Sequence, residues 1–302
     1  MIEVADLGDG RAQLGFGGDT LNTALYLARL GVQVDYHTAL GDDAGSAHML
    51  QTWREEGLGI AHVECVPGAT PGLYLVRTDA QGERSFQFWR EHSPARRLCA
   101  LPGWPERVRA LSRYDWLYFS AITLSILDDA GRAALLDAIA AARGRGARIA
   151  FDSNYRARGW TDAGAARAAI RAALPLVDLA LPTFQDERAL FGDTAPAQTL
   201  QRLRAAGVAH AAIKLGAEGC LVFDDARERI VTAPRVARVV DTTAAGDAFN
   251  AGFMAGLIAG ETPDHAALRG HLLAGTVIQH RGAIIPREAM PADRPLAAHH
   301  AA

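Results

Sequence analysis

The chain is poor in cysteine, carries no marked excess of either charge, and has no long apolar run; each shortage removes a class of protein. Cys65, Cys99 and Cys220 are spread over 302 residues without a C-x-x-C pair, which argues against a structural zinc site and against a secreted disulfide framework. They read as cytosolic thiols packed in the core. The 31 basic and 34 acidic residues are mixed along the chain, giving a formal net charge of −3. No polyanion-binding stripe results, so nucleic acid is not an expected partner. No segment reaches the roughly 20 apolar residues that cross a bilayer, and MIEVADLGDG at the start lacks the charged and apolar regions of a signal peptide. The expectation is a soluble, cytoplasmic protein with no membrane partner. His37, His92 and the other histidines lack metal-ligand spacing, and no protein metal ligand is assigned.

What is present is enough apolar sequence, 49%, to bury a large core. From about residue 110, short β-type runs (DWLYFS, ARIAFD, VDLALPT, HAAIKLG) alternate with helical stretches such as AGRAALLDAIAAARGRG. That alternation predicts an α/β body, a doubly wound, mostly parallel sheet flanked by helices. Residues 60–92 differ: IAHVECV, PGLYLVRT and RSFQFWRE alternate in period two between turn residues, as antiparallel strands do. They predict a small antiparallel β lid, with TDAQGER as a hairpin turn. The whole of 1–302 is read as one domain, its lid drawn from segments near 10–18 and 60–92, and PADRPLAAHHAA as a frayed tail.

The stretch DTTAAGDAFN, 241–250, sets an acid among small residues where a helix begins. RVARVVD before it reads as a strand, so the motif is expected at a strand-to-helix junction, where ligands of open parallel sheets collect. The helix terminus offers unpaired N–H groups and partial positive charge, and TAAG lets an anion such as phosphate approach them. Asp247 then has two readings, a helix N-cap or a general base beside a transferred phosphoryl group. A cap alone does not require three small residues ahead of it, and that surplus favours function.

Together, DTTAAGDAFNAGF and, over 200 residues earlier, GFGGDTLNTALYLARLG at 15–31 resemble the two signatures of the ribokinase-like (PfkB) carbohydrate kinase family. The likeness also follows the order of small sheet, α/β body and final helices. Within the family, GFGGDTLNTA, FWRE followed by SPA, DSNYR, DTTAAGD and VIQHRGAIIP resemble the subgroup acting on 2-keto-3-deoxygluconate. The resemblance implies transfer of the ATP γ-phosphoryl group to the 6-hydroxyl of that sugar acid, with magnesium accompanying the nucleotide. Asp247 would be the base, with the N–H groups of Ala245, Gly246 and Asp247 holding the developing charge. Gly18, through its backbone, and Asn22, through its amide, are implied sugar contacts; Asn154 lies toward the nucleotide. The loop KLGAEG, with Lys214, Gly216 and Gly219, borders ATP together with Gly246. No Walker A motif occurs.

A sugar acid also needs a cation for its carboxylate. Phe86, Phe88 and Arg90 share one strand face, so an aromatic and a guanidinium project together over whatever the lid covers; an edge-strand Arg reaching solvent fits the segment equally well. Tyr74 offers a lid hydroxyl or packs as a strand aromatic. Arg156 follows ARIAFD at the carboxyl end, placed for a carboxylate or phosphate, or for a surface ion pair; the family resemblance implies that it touches the sugar acid. Asp19 reads as the N-cap of a helix starting near Thr20. Relative to the family pattern the chain starts as if about eight residues short. TFQDE puts Thr183 and Asp186 where the family has Asn-x-x-Glu, leaving Asp186 or Glu187 to organise magnesium through water or simply to start a surface helix. Ala244 replaces the first Gly of the carboxyl-terminal signature. A kinase of neutral sugars such as fructose and a non-catalytic sugar-acid binder are the rival readings; Arg90 with Arg156 argues against the first and Asp247 against the second. The sequence leaves the oligomeric state open, though lid strands with alternating apolar faces could pair between subunits in a homo-oligomer.

Overall fold

The computed structural model describes residues 1–8, 10–78, 84–224 and 227–291. The chain opens with β1 (Ile2–Gly8), β2 (Arg11–Phe16), α1 (Asp19–Arg29), β3 (Thr38–Gly41), α2 (Ala44–Glu55) and β4 (Val63–Val66). It continues through β5 (Leu73–Thr78), β6 (Arg84–Trp89), α3 (Trp104–Leu111), β7 (Trp116–Ser120), α4 (Ala121–Ile126), α5 (Asp129–Arg143), β8 (Arg148–Asp152) and α6 (Ala163–Ala173). The remainder is β9 (Leu179–Ala180), α7 (Phe184–Phe191), α8 (Pro196–Ala205), β10 (His210–Lys214), β11 (Cys220–Asp224), β12 (Arg227–Val231), α9 (Ala245–Ile258) and α10 (Pro263–Val277).

The body is a six-stranded sheet in the order β12-β11-β10-β9-β8-β7, parallel from β7 to β10 and antiparallel from β10 to β12. Successive strand residues serve opposite faces. Ile149 and Phe151 join α5, α6 and α8 in one core, whereas Ala150 joins α1, α9 and α10 in the other. Both faces are thus dry, which explains the nearly unbroken apolar runs.

Sequence and structure part at three places in this framework. The lid is a four-stranded mixed sheet, β2-β1-β5-β6, in which β1 runs parallel to β5. β4 lies outside it and pairs in parallel with β3. Alternation in IAHVECV marks a strand but not its partner; the α2 crossover between β3 and β4 imposes the parallel pairing. The stretch 235–241 is no strand either. It is an exposed loop, with Val239 56% exposed, tied down where the Val240 and Asp241 amides donate to the Ile278 carbonyl at 2.8 and 3.1 Å. The motif therefore sits at a loop-to-helix junction. Of the cysteines only Cys220 is buried; Cys65, on the short β4, is exposed and Cys99 is half-buried. The middle of the expected TDAQGER turn and residues 292–302 of the tail lie outside the described residues. No described helix is long and apolar enough to cross a membrane.

The Ala and Gly content of α9 has a packing cause as well. A Cβ on Gly252 would come within 2.8 Å of the Gly270 Cα, and one on Gly256 within 2.8 Å of the Ala266 Cα. Small residues let α9 and α10 run backbone against backbone, and this buries the helix that carries Asp247.

Candidate active site

Three parallel strands end in polar residues on one edge of the body sheet: β7 in Ser120, β8 in Asp152 and β10 in Lys214. This is the carboxyl edge where ligands of parallel sheets gather. The first turns of α1 and α9 face it, bringing Asp19 and Asp247 to the same place. Asp247 is not an N-cap. Ala244 occupies that position in a left-handed conformation, φ 60°, with no side-chain cap, and Asp247 is the third residue of the helix. Its carboxylate is buried and accepts a hydrogen bond from the Asn22 amide at 2.8 Å. The Asn22 Oδ1 in turn accepts from the Gly18 amide at 3.3 Å. The two sequence signatures therefore meet at Asp247, whose carbonyl also accepts from the Thr23 hydroxyl at 3.3 Å. Burial lifts Asp247 from the ordinary carboxylate range to about 8, with Asp19 and Asp152 adding to the rise and Asn22 and Lys214 opposing it.

Lys214 is the chain's only lysine among 31 basic residues. Its buried ammonium donates to Asp152 Oδ2 and to Asn250 Oδ1, both at 2.8 Å, and it lies 3.7 Å from the place a Cβ on Gly246 would take. Asn250 is held from its other side, its amide donating to Asp152 Oδ2 at 2.7 Å and to the Tyr118 hydroxyl at 3.1 Å. A compact ammonium fits this slot beneath the first turn of α9, where a branched guanidinium is larger and flatter. Composition alone would have singled out Lys214, because arginine serves everywhere else. Asp152, Asn250 and Tyr118 carried no such signal.

Asp19 likewise is no cap: Gly18 holds the N-cap position, and the Asp19 carboxylate bonds to the Ser120 hydroxyl and accepts from the Asn154 amide at 3.3 Å. Desolvation raises its pKa, and Asp152 adds to that rise. Asn154 thus lies among the site side chains. Arg156 points outward, 56% exposed, and pairs with Asp186 at 3.1 Å. Glu187 turns inward, accepting from the Ser153 hydroxyl and from Arg202 at 2.7 Å, so it is committed to the interior and not placed to reach a metal. Among the described residues, no three His, Cys, Asp or Glu side chains form a group that could hold a metal ion. Asp241 of the motif is also structural, its carboxylate accepting from the Thr243 and Gly282 amides at 3.0 and 2.6 Å.

Beside this cluster lies a cavity of about 110 Å³, lined by Gly17, Gly18 and Asp19 and by Gly72, Arg90 and Arg96 from the lid and the segment after it. Arg90 crosses the Phe88 ring at 5.1 Å. Phe88 itself is 43% exposed and stacks at a tilt on Tyr74, ring centroids 5.9 Å apart. Tyr74 is buried, with its hydroxyl bonded to Glu3. Gly216 and Gly219 bound the β10–β11 hairpin, and Gly219 has no room for a side chain because a Cβ there would overlap the Val231 carbonyl. The structure therefore brings Gly18, Asn22, Lys214, Gly246 and Asp247 together and sets Arg90 in the adjoining cavity. Arg156 stands at the rim, and Tyr74 and Phe88 lie in the lid.

A buried carboxylate and a lysine around a helix terminus, at the carboxyl edge of a parallel sheet, define an α/β phosphotransfer enzyme by fold and site. The model of the pfkB family of carbohydrate kinases matches residues 7–290, and the chain belongs to that family. It is 42% identical over 300 residues to 2-dehydro-3-deoxygluconokinase of Dickeya dadantii, covering 97% of this chain and 96% of the relative. It is 41% identical to the enzyme of the same name from Escherichia coli K12, with the same coverage. Among solved structures, a PfkB protein from Polaromonas sp. JS666 superposes with a TM-score of 0.83 at 24% identity, covering 93% of each chain. Aminoimidazole riboside kinase from Salmonella enterica, complexed with aminoimidazole riboside and an ATP analogue, superposes with 0.80 at 23%, covering 96% of this chain and 93% of that one. At those identities the structures speak for the fold alone.

Proposed function

We propose that the protein transfers the γ-phosphoryl group of ATP to the 6-hydroxyl of 2-keto-3-deoxygluconate (2-dehydro-3-deoxygluconate), with Asp247 as general base. The observation that carries this reading is the buried Asp247 carboxylate, lifted to about 8 and oriented by Asn22, in the first turn of a helix whose terminus is backed by Lys214. The curated relatives that are 42% and 41% identical act on this sugar acid by name and support the choice of substrate.

In the proposed step the sugar oxygen forms a bond to the γ-phosphorus as the bond to the bridging oxygen of ADP breaks. The hydroxyl proton passes to an Asp247 carboxylate oxygen. Asn22 holds that carboxylate in place, and the Ala245, Gly246 and Asp247 amides with the Lys214 ammonium meet the negative charge on the transferring group. Arg90 binds the sugar-acid carboxylate, Arg156 lies toward the sugar acid, and Asn154 and the Gly216–Gly219 turn border the nucleotide. Magnesium bound with ATP would neutralise phosphate charge. Asp186, paired with Arg156 at 3.1 Å, is the carboxylate that would hold that ion's waters, as suits a cation that keeps most of its hydration.

The lid supports an assembly role. Leu14 is 73% and Trp89 55% exposed on the same sheet face, and β2 and β6 are open edges. Pairing of two lids would cover both. The test of the main reading is a coupled ATP-consumption assay over keto-deoxy sugar acids, ribose and fructose. Turnover of 2-keto-3-deoxygluconate with the highest kcat/KM is expected; preference for a neutral sugar would refute it.

A further inference from the structure

The charged side chains lining the cavity are Asp19, Arg90 and Arg96. Asp19 is engaged by Ser120 and Asn154. Neither arginine makes an ion pair with a carboxylate among the described residues, although both are half-buried and close enough that Arg96, after burial, is the main influence depressing the Arg90 pKa. Two neighbouring guanidiniums facing one cavity repel each other and lose hydration, opposed at Arg90 only by the field of Asp19, whose carboxylate is already engaged by Ser120 and Asn154. That arrangement is relieved when an anion enters between them.

We propose that Arg96 is a specificity-determining residue, which with Arg90 forms a two-guanidinium clamp for the carboxylate of the sugar acid. The inference rests on the sugar-acid reading above and adds a residue to it. The same cavity is lined by Gly17, Gly18 and Asp19, so an acid held by the two arginines has its hydroxyls in one chamber with the α1 terminus. There Asn22, bonded to the Gly18 amide, meets Asp247. A neutral sugar gains nothing from the clamp and leaves the repulsion between the two guanidiniums in place, which disfavours it. Arg96 lies in the short helical turn Pro94–Ala100 that follows the lid. Its neighbour Arg97 is exposed on the same turn and does not line the cavity, so it serves as an internal control.

The experiment compares the parent protein with Arg96→Gln, Arg96→Lys and Arg97→Gln, measuring kcat and KM for 2-keto-3-deoxygluconate, KM for ATP and thermal melts. Loss of a charge-assisted contact predicts for Arg96→Gln a KM for the sugar acid raised about tenfold or more, kcat changed less than about threefold, and KM for ATP unchanged. Arg96→Lys keeps the charge but not the fork and is expected to fall between; Arg97→Gln should match the parent. An active parent whose KM is the same within about twofold in Arg96→Gln overturns the clamp, as does an equal rise in KM for ATP. If Arg96→Gln does not fold, an unchanged KM in Arg96→Lys overturns it. A parent with no turnover of the sugar acid overturns the substrate reading itself, and the clamp with it.

Discussion

Replacing Asp247 by Asn separates chemistry from stability, because the two effects have opposite signs. Asn still accepts the hydrogen bond from the Asn22 amide but cannot take a proton, so kcat is expected to fall on the order of 10² to 10⁴. Stability should move the other way. The folded carboxyl titrates near 8 against an ordinary 3.8, so between about pH 4 and pH 8 the native state holds a proton that the unfolded chain has released. Unfolding stability therefore falls as pH rises through that window and levels off above it. At about 1.36 kcal/mol per pKa unit, the native state forgoes on the order of 5 kcal/mol above pH 8. Asp247→Asn removes that slope: it should be no more stable than the parent at pH 4 and more stable by up to that amount at pH 9. Urea unfolding at the two pH values, with kcat at pH 8, measures both effects. In the parent, kcat/KM should rise with pH and level off near 8, as the free base deprotonates. A variant with near-parental kcat would end the catalytic assignment. A stability difference that does not grow with pH would end the account of the buried carboxyl.

Removing the ammonium in Lys214→Met leaves the buried Asp152 without its cation, which costs about 3–5 kcal/mol of stability by denaturant titration. Lys214→Arg should not restore kcat, since the slot between Asp152, Asn250 and Gly246 admits an ammonium; full activity in that variant would refute the fit. Ala244→Gly relieves a left-handed residue at φ 60° and is expected to stabilise by about 0.5–1 kcal/mol with activity retained, the reverse of an ordinary Ala→Gly change. A lower melting temperature would contradict it. Leu14→Arg on the exposed lid face should shift the mass measured by light scattering toward the monomer; an unchanged mass would remove the lid from assembly.

Where pattern is local, the sequence by itself sufficed. Short apolar runs and Ala-rich stretches marked β7, β8, β10, α5 and α9, because burial on both sheet faces writes itself into consecutive residues. The signatures around Gly18 and Asp247 carried the family likewise. Partners were another matter. β4 showed its alternation but not that it would run beside β3, and 235–241 had a strand's composition yet found no strand to pair with. Asp19 and Asp247 both looked like helix caps, since a carboxylate at a helix start has that local use. Only the packing of α1 and α9 against one sheet edge turned both side chains inward, to Ser120 and Asn154 in one case and to Asn22, 225 positions away, in the other. Lys214 was legible in the KLGAEG loop, but its partners, the Asp152 carboxylate and the Asn250 amide oxygen, come from a strand end and a helix that no sequence spacing relates. Residue types and periodicity determine which elements form. The low dielectric that raises Asp247, and the distances that make Asn22 its partner, exist only once those elements close around one another.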